Sequence, residues 1–105
     1  MTNHERKVNV TIAFKNTEAT EPIKKHATEK VTHSLQKFVH HDTDVHVILR
    51  VEKNRQIAEA TFHVDGADFI GREESSDLYA AIDALADSLS QQLRRHKDKI
   101  TQHHQ

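Results

Sequence analysis

The chain has 105 residues, of which 35% are hydrophobic and 30% charged, a composition that fits one small domain and not two. It contains no cysteine, which excludes disulfides, thiolate metal sites and cysteine nucleophiles. No apolar run approaches the roughly 20 residues that cross a bilayer, and the N-terminal segment lacks the apolar core of a signal peptide. We therefore expect one cytoplasmic domain over residues 1–105, with an ordered core over about residues 6–100.

The charge is close to neutral in total but unevenly distributed. The net charge is −1 at pH 7 with His neutral, which does not by itself indicate a nucleic-acid partner. Residues 6–37 carry a net charge of +4, residues 65–87 carry −6, and residues 88–105 carry +3. The ten His residues would add positive charge in mildly acid conditions. The function therefore depends on whether the two basic segments meet in space.

The first two elements follow from hydrophobic periodicity. Apolar residues at every second position from Val8 to Phe14 predict a strand over about residues 6–14. Thr20 is a suitable N-cap, with an acid and Pro22 in the first turn of a helix. Apolar residues then recur at steps of four and three, which predicts an amphipathic helix that ends near His40.

Three more strands and a second helix complete the order β-α-β-β-β-α. Alternating segments at 45–52 and 57–64 predict a hairpin with its loop at 53–56, and a weaker strand follows at 67–73. A cap at 75–77 then begins a long helix with an apolar stripe from Leu78 to Ile100. The class is α+β: short turns favour an antiparallel meander of strands 2, 3 and 4. Both helices need one face of the four-stranded sheet to bury their stripes.

One flank of the first helix is a ridge of basic residues. The ridge is about 16 Å long at helical rise, which suits several consecutive phosphates of one nucleic-acid strand. A solvated helix face is the alternative interpretation. The ridge consists of His26, Lys30, His33 and Lys37, and Lys24 and Lys25 add charge away from it.

The second helix also ends in basic residues. One flank runs through Ala81, Ala84, Ser88, Gln91, Arg95 and Lys99, and the last two turns gather Arg94, Arg95, Lys97 and Lys99. Cations there also stabilise the helix dipole, which is the alternative explanation. If the cationic edges of both helices face the same side, they would favour a polyanion, and carboxylates between them would weaken that interpretation. The hairpin bases Arg50, Lys53 and Arg55 are candidates at the edge of such a surface.

Catalytic and metal-binding patterns are missing from the sequence. The adjacent pairs His40-His41 and His103-His104 have poor spacing for a shared ion, and no HExxH pattern exists. With two Gly, the chain cannot build a phosphate-cradling loop, and its Ser residues lack a glycine elbow. No aromatic pair is placed on a strand as base-stacking RNA modules require. We therefore expect no metal, no cofactor and no enzyme activity, which leaves recognition of nucleic-acid shape and backbone.

Four segments together resemble the bacterial ribosome hibernation-promoting factors, also described as ribosome-associated inhibitors or sigma-factor modulation proteins. The resemblance covers about residues 6–100 and is carried by VHVILRVEK at 45–53, AEATFHV at 58–64, DLYAAID at 77–83 and QLRRHKDK at 92–99. It implies a domain similar to double-stranded RNA-binding modules. It also implies the short form of the family, without a C-terminal dimerisation domain or a long acidic tail.

The resemblance further implies a non-catalytic protein that binds the small ribosomal subunit in the channel used by mRNA and tRNA. The basic helix faces would contact 16S ribosomal RNA, with no DNA or membrane as a partner, and would silence ribosomes in stationary phase. Short forms are associated with ribosome dimers, usually alongside a separate small modulation factor. Ser88 and Gln91 stand where the family usually has Lys or Arg, and His33 stands where Lys is usual. These departures predict weaker binding at neutral pH.

A second function class is open at this point. The acidic segment 65–87 could make the chain a protein-interaction module that binds a transcription or stress factor. Binding that survives ribonuclease and high salt would favour this alternative, because phosphate-dominated binding weakens steeply with salt.

Overall fold

A computed structural model describes residues 7–102, and side chains over residues 7–98. The observed order is the predicted one, and the four strands form one sheet in the order β1-β2-β3-β4. The elements are β1 (Val8–Lys15), α1 (Glu21–Gln36), β2 (Thr43–Glu52), β3 (Arg55–Val64), β4 (Ala67–Ser75) and α2 (Leu78–Gln102). β1 pairs with β2 in parallel, whereas β2, β3 and β4 form the expected antiparallel meander.

Both helices pack on the same face of the sheet, as the apolar stripes predict. The buried core joins Val31 and Leu35 of α1, Val47 and Leu49 of β2, and Leu85 of α2. The alternate residues of each strand lie on the opposite face, which we call the outer face. Within residues 7–102, no helix has an apolar stretch long enough to cross a membrane.

The two turns of the meander are tight. The β2–β3 loop contains only Lys53 and Asn54, so it is shorter than the predicted 53–56, and Lys53 has φ of 57°. The β3–β4 turn is the predicted Asp65-Gly66 pair, and both residues have positive φ, at 54° and 77°. Positive φ at both central residues is typical of hairpin turns that contain Asp-Gly.

The helix ends are set by side-chain caps and by a turn. The Thr20 hydroxyl accepts a hydrogen bond from the Ile23 amide, and the Asp77 carboxylate accepts one from the Ala80 amide, so both predicted caps are confirmed. The predicted end of α1 near His40 is wrong, because the helix ends at Gln36. The Phe38 amide donates to the Leu35 carbonyl in a tighter turn, which lets Val39 enter the core before β2 begins.

A glycine allows α2 to approach the sheet closely. Gly71 of β4 lies under Leu85 and Leu89, and a Cβ at this position would come within 2.7 Å of the Leu89 Cδ2 atom. Strand β4 also extends two residues beyond the predicted end at 73, because Glu74 and Ser75 pair with Ile57 and Gln56 of β3.

Candidate nucleic-acid interface

The two helices run parallel, and facing residues differ by 56 or 57 in number. Near the start of both helices, the His26 Nε2 atom lies 2.8 Å from the Asp83 Oδ1 atom, 57 residues apart. Near the end of α1, the Ser90 hydroxyl contacts the Ser34 carbonyl, 56 residues apart. Just after α1, the His40 Nε2 atom lies 2.9 Å from the Lys97 Nζ atom, again 57 residues apart. The N-terminal ends of α1 and α2 therefore lie together, and α1 runs along α2 to its own end.

Small residues bring the helices close and form the floor of a groove between them. The Ser90 hydroxyl donates to the Ser34 carbonyl at 3.1 Å, and the Ser34 hydroxyl donates to the Val31 carbonyl within α1. Together with Ala86, these residues line a groove of about 410 Å³. We call it the inter-helix groove, and its lining is completed by Lys30, His33, Lys37, Asp83, Asp87, Gln91 and Arg94.

Cations from both helices reach the C-terminal half of the inter-helix groove. His33 contributes from α1, Lys37 from the C-cap position that follows α1, and Arg94 from α2. The Lys37 Nζ atom lies 5.8 Å from the centre of the Phe38 ring, within the distance of a cation–π contact. In the part of the chain whose side chains are described, none of these three residues forms an ion pair with a carboxylate. This half of the groove is therefore electropositive.

The N-terminal half of the groove contains carboxylates. Asp83 lies 2.8 Å from the His26 ring and 3.8 Å from the Lys30 Nζ atom, and Asp87 follows one turn later on α2. The structure thus brings the cationic edges together but also places carboxylates between them, a feature that weakens the sequence-based interpretation. The charge of the groove therefore changes along its length, from mixed in the N-terminal half to positive in the C-terminal half.

The basic ridge of α1 faces the groove, whereas the predicted flank of α2 reaches it only at Gln91 within the residues whose side chains are described. Arg94 lines the groove, whereas Arg95 is exposed outside it. The flank that contains Arg95 lies on the β4 side of the helix, where the Gln92 amide donates to the Ile70 carbonyl. The apolar stripe of α2 has a flank on each side, and hydrophobic periodicity does not show which flank lies next to α1.

The helix dipole does not account for Arg94. The predicted alternative was that cations in the last turn of α2 stabilise the helix. Because α2 continues to Gln102, Arg94 lies two turns before its end. The dipole effect falls off within the last turn, so Arg94 needs another explanation.

The remaining helical candidates lie at or beyond the margins of the groove. The Lys24 Nζ atom lies 3.4 Å from Glu21, and Lys25 is exposed away from the groove. Lys97 contacts His40 just beyond the C-terminal end of the groove. The Lys99 side chain lies outside the described residues.

The hairpin candidates are not at the edge of the groove. Arg50 and Arg55 lie on the outer face, and Lys53 is exposed in the β2–β3 turn. Strand alternation explains this placement, because Leu49 faces the helices and Arg50 must then face away. The expectation that these bases border the helix surface is therefore wrong.

Arg50 and Arg55 instead belong to a network of ion pairs, which we call the outer-face network. Arg50 contacts Glu59 at 2.6 Å, Arg72 contacts the same carboxylate at 3.2 Å, and Arg55 contacts Glu74 at 2.8 Å. The hydrogen bond and charge of Glu74 raise the pKa of Arg55 above its usual value. Weaker contacts join both arginines to Glu52, at 3.5 and 3.7 Å. These side chains surround Ile57, which is fully buried on this face.

Sequence reasoning missed the carboxylates of the groove. Asp83 and Asp87 appeared in the sequence only as part of the acidic segment 65–87. The signal that could have found them is the spacing on α2, because positions 83, 87, 90 and 94 form a continuous flank of a helix. No group of three or more His, Asp or Glu residues within the described part of the chain is arranged to hold a metal ion.

The structure is a small α+β domain with two parallel helices on one sheet face and a groove between them that is positively charged at its C-terminal end. The sequence profile of the family described as "Sigma 54 modulation protein / S30EA ribosomal protein" matches residues 10–101. The chain therefore belongs to this family of ribosome hibernation factors, whose members are not enzymes.

Individual relatives agree with this assignment. The ribosome hibernation promoting factor of Salmonella typhimurium is 43% identical over 88 residues, which cover 84% of this chain and 92% of the relative. The factor of the same name from Escherichia coli K12 is 40% identical over 92 residues, covering 88% and 96%.

Two solved structures share the fold. The N-terminal domain of Thermus thermophilus Protein Y superposes with a TM-score of 0.75 at 27% identity, covering 84% of this chain and 98% of that domain. A ribosomal subunit interface protein from Coxiella burnetii gives a TM-score of 0.76 at 18% identity, covering 86% and 98%. The β-α-β-β-β-α order and the placement of both helices on one face are therefore those of the family.

Proposed function

We propose that this protein is a ribosome hibernation factor that binds the small ribosomal subunit in the channel used by mRNA and tRNA. The inter-helix groove holds the phosphate backbone of 16S ribosomal RNA, and the bound protein blocks translation in the cytoplasm of stationary or stressed cells. A separate small modulation factor acts with it where silenced ribosomes dimerise. The names of the relatives at 40–43% identity support the hibernation role.

The observation that carries this proposal is the convergence of cations from two different helices on one groove. His33 on α1, Lys37 at its C-cap and Arg94 on α2 line the same half of the groove without ion-pair partners in the described region. Groups of like charge repel each other, so this arrangement is best stabilised by an anion that lies between them. A nucleic-acid backbone supplies such anions at regular intervals, and contact with it needs no base readout.

The proposal predicts that reversing charge in the groove abolishes ribosome binding. In a Lys37→Glu, Arg94→Glu double variant, each substitution replaces an attraction for phosphate by a repulsion. We expect this variant to lose co-sedimentation with small subunits through a sucrose cushion. A Lys7→Glu, Lys15→Glu variant has the same change in net charge at exposed positions of the β1 region and should sediment with the subunits as the unmodified chain does.

Circular dichroism of both variants would check that the fold is retained, since all four side chains are at the surface or groove wall. Normal co-sedimentation of the folded groove variant would overturn the proposed binding surface. Equal loss in both variants would also overturn it, because binding would then depend on total charge and not on the groove.

The acidic segment 65–87 does not form one surface that would favour a protein-interaction module. Asp77 caps α2, Asp83 lines the groove, and Glu74 belongs to the outer-face network. Asp68 contacts His63 at 2.7 Å on the outer face. These acids point to different sides of the domain and most have partners, so no observation favours this second function.

A further inference from the structure

Two carboxylates line the inter-helix groove in different surroundings. Asp83 contacts the His26 ring at 2.8 Å and the Lys30 ammonium group at 3.8 Å. Asp87 is exposed on the groove wall and, within the described residues, makes no hydrogen bond or ion pair. An uncompensated carboxylate in a groove that binds phosphates would repel them, and this repulsion needs an explanation.

A ribose hydroxyl can convert this repulsion into an attraction. An ionised carboxylate only accepts hydrogen bonds, and RNA carries a 2′-hydroxyl donor beside every phosphate, whereas DNA does not. A hydrogen bond from a hydroxyl to a carboxylate is charge-assisted and therefore strong. Asp87 precedes Arg94 by two helical turns, or about 10 Å, so a strand that lies along the groove can reach both.

We propose that Asp87 is a specificity-determining residue that accepts a hydrogen bond from a ribose 2′-hydroxyl while Lys37 and Arg94 hold neighbouring phosphates. This contact selects RNA over DNA in a groove whose cations alone attract either. The inference rests on the proposed function, since it assumes that the groove binds a nucleic-acid backbone.

The test distinguishes recognition of the 2′-hydroxyl from recognition of the shape of the RNA duplex. An RNA duplex of about 16 base pairs, the span of a double-stranded RNA-binding domain, is compared with the same duplex carrying 2′-fluoro groups. Both duplexes are A-form, but fluorine cannot donate a hydrogen bond. The dissociation constants of both are measured by fluorescence anisotropy at neutral pH and one salt concentration for the unmodified chain, Asp87→Ala and Asp98→Ala.

Asp98→Ala is the matched control. It removes the same charge from the same helix at an exposed position outside the groove. Alanine is favourable within a helix, so neither substitution is expected to disturb α2. For the unmodified chain and for Asp98→Ala, we expect the fluorinated duplex to bind about ten-fold more weakly, as for the loss of one hydrogen bond to a charged group. For Asp87→Ala, we expect both duplexes to bind equally.

The outcomes distinguish this inference from the function on which it rests. If the unmodified chain does not bind small subunits, the proposed function is overturned. If it binds subunits but not the duplex, or if the preference for the hydroxyl is absent or survives in Asp87→Ala, only the assignment to Asp87 is overturned. Loss of the preference in Asp98→Ala as well would also overturn it, because net charge would then explain the effect.

Discussion

The inter-helix groove and the outer face both carry cations and carboxylates, but they arrange them in opposite ways. On the outer face, strand register places Arg72 directly opposite Glu59, and the same carboxylate also contacts Arg50. In the groove, the offset of 57 residues places Lys37 level with Arg94, so that like charges meet. The outer face pairs its charges internally, whereas the C-terminal half of the groove holds cations that form no ion pair with a carboxylate in the described part of the chain.

The two regions contain arginines whose roles differ, although the sequence alone does not distinguish them. Arg50 and Arg94 each follow a leucine of an apolar pattern directly, Leu49 and Leu93. Arg50 is half-buried, and its Nε atom is buried without a hydrogen bond, so its position depends on the carboxylates around it. Arg94 is exposed on a groove wall. We infer that the outer-face network stabilises the sheet and that the groove binds the ligand.

The largest expected difference between the two regions is their response to salt concentration. If the groove contacts phosphates through Lys30, Lys37 and Arg94, raising salt from about 50 to about 200 mM should weaken RNA binding about forty-fold. The free energy of unfolding should change little over the same range, because the partly buried pairs of the outer face are screened less. Filter binding and urea denaturation at both salt concentrations check this. An affinity that is insensitive to salt would contradict phosphate contact.

Removing the shared carboxylate of the outer face should affect stability and not binding. Glu59→Ala leaves Arg50 and Arg72 without their common partner, and we expect a loss of about 1–2 kcal/mol in the free energy of unfolding. The affinity for RNA should stay within about two-fold, as for other distant independent sites. Urea denaturation and anisotropy measure the two quantities.

Glu18→Ala is the control for that variant, because Glu18 is exposed and makes no contact with another charged side chain of the described region. It should leave stability nearly unchanged. If Glu59→Ala weakened RNA binding while stability stayed constant, the outer-face network would belong to the binding surface and the contrast between the two regions would be lost.

The sequence predicts the fold well because its signals are local. The alternation in β1, the caps at Thr20 and Asp77 and the Asp-Gly turn each act over a few residues, and all are confirmed. The predicted end of α1 was wrong because Phe38 and Val39 continue the apolar pattern of the helix. Both residues pack at the core, but they do so after the helix has ended.

The site was less predictable because it depends on relations between elements. The ridge of α1 could be read from one helix, and the structure places Lys30, His33 and Lys37 at the groove. The choice of Arg94 over Arg95 depends on which flank of α2 lies next to α1. The position of Arg50 on the outer face follows from strand alternation, but its partners depend on the register with β3 and β4.

The smallest expected effect is the response of the outer-face network to pH. Glu74 raises the pKa of Arg55, and a raised pKa gives a contribution that is fully present below the ordinary pKa of arginine. That contribution is lost only as the pH rises through the raised value, in strongly alkaline solution. The stabilising effect of the Arg55–Glu74 pair should therefore be the same at about pH 6 and about pH 8, and the difference in unfolding free energy between the unmodified chain and Arg55→Ala checks it. A difference that varied between these pH values would place a titrating group in the outer-face network and remove the contrast with the groove.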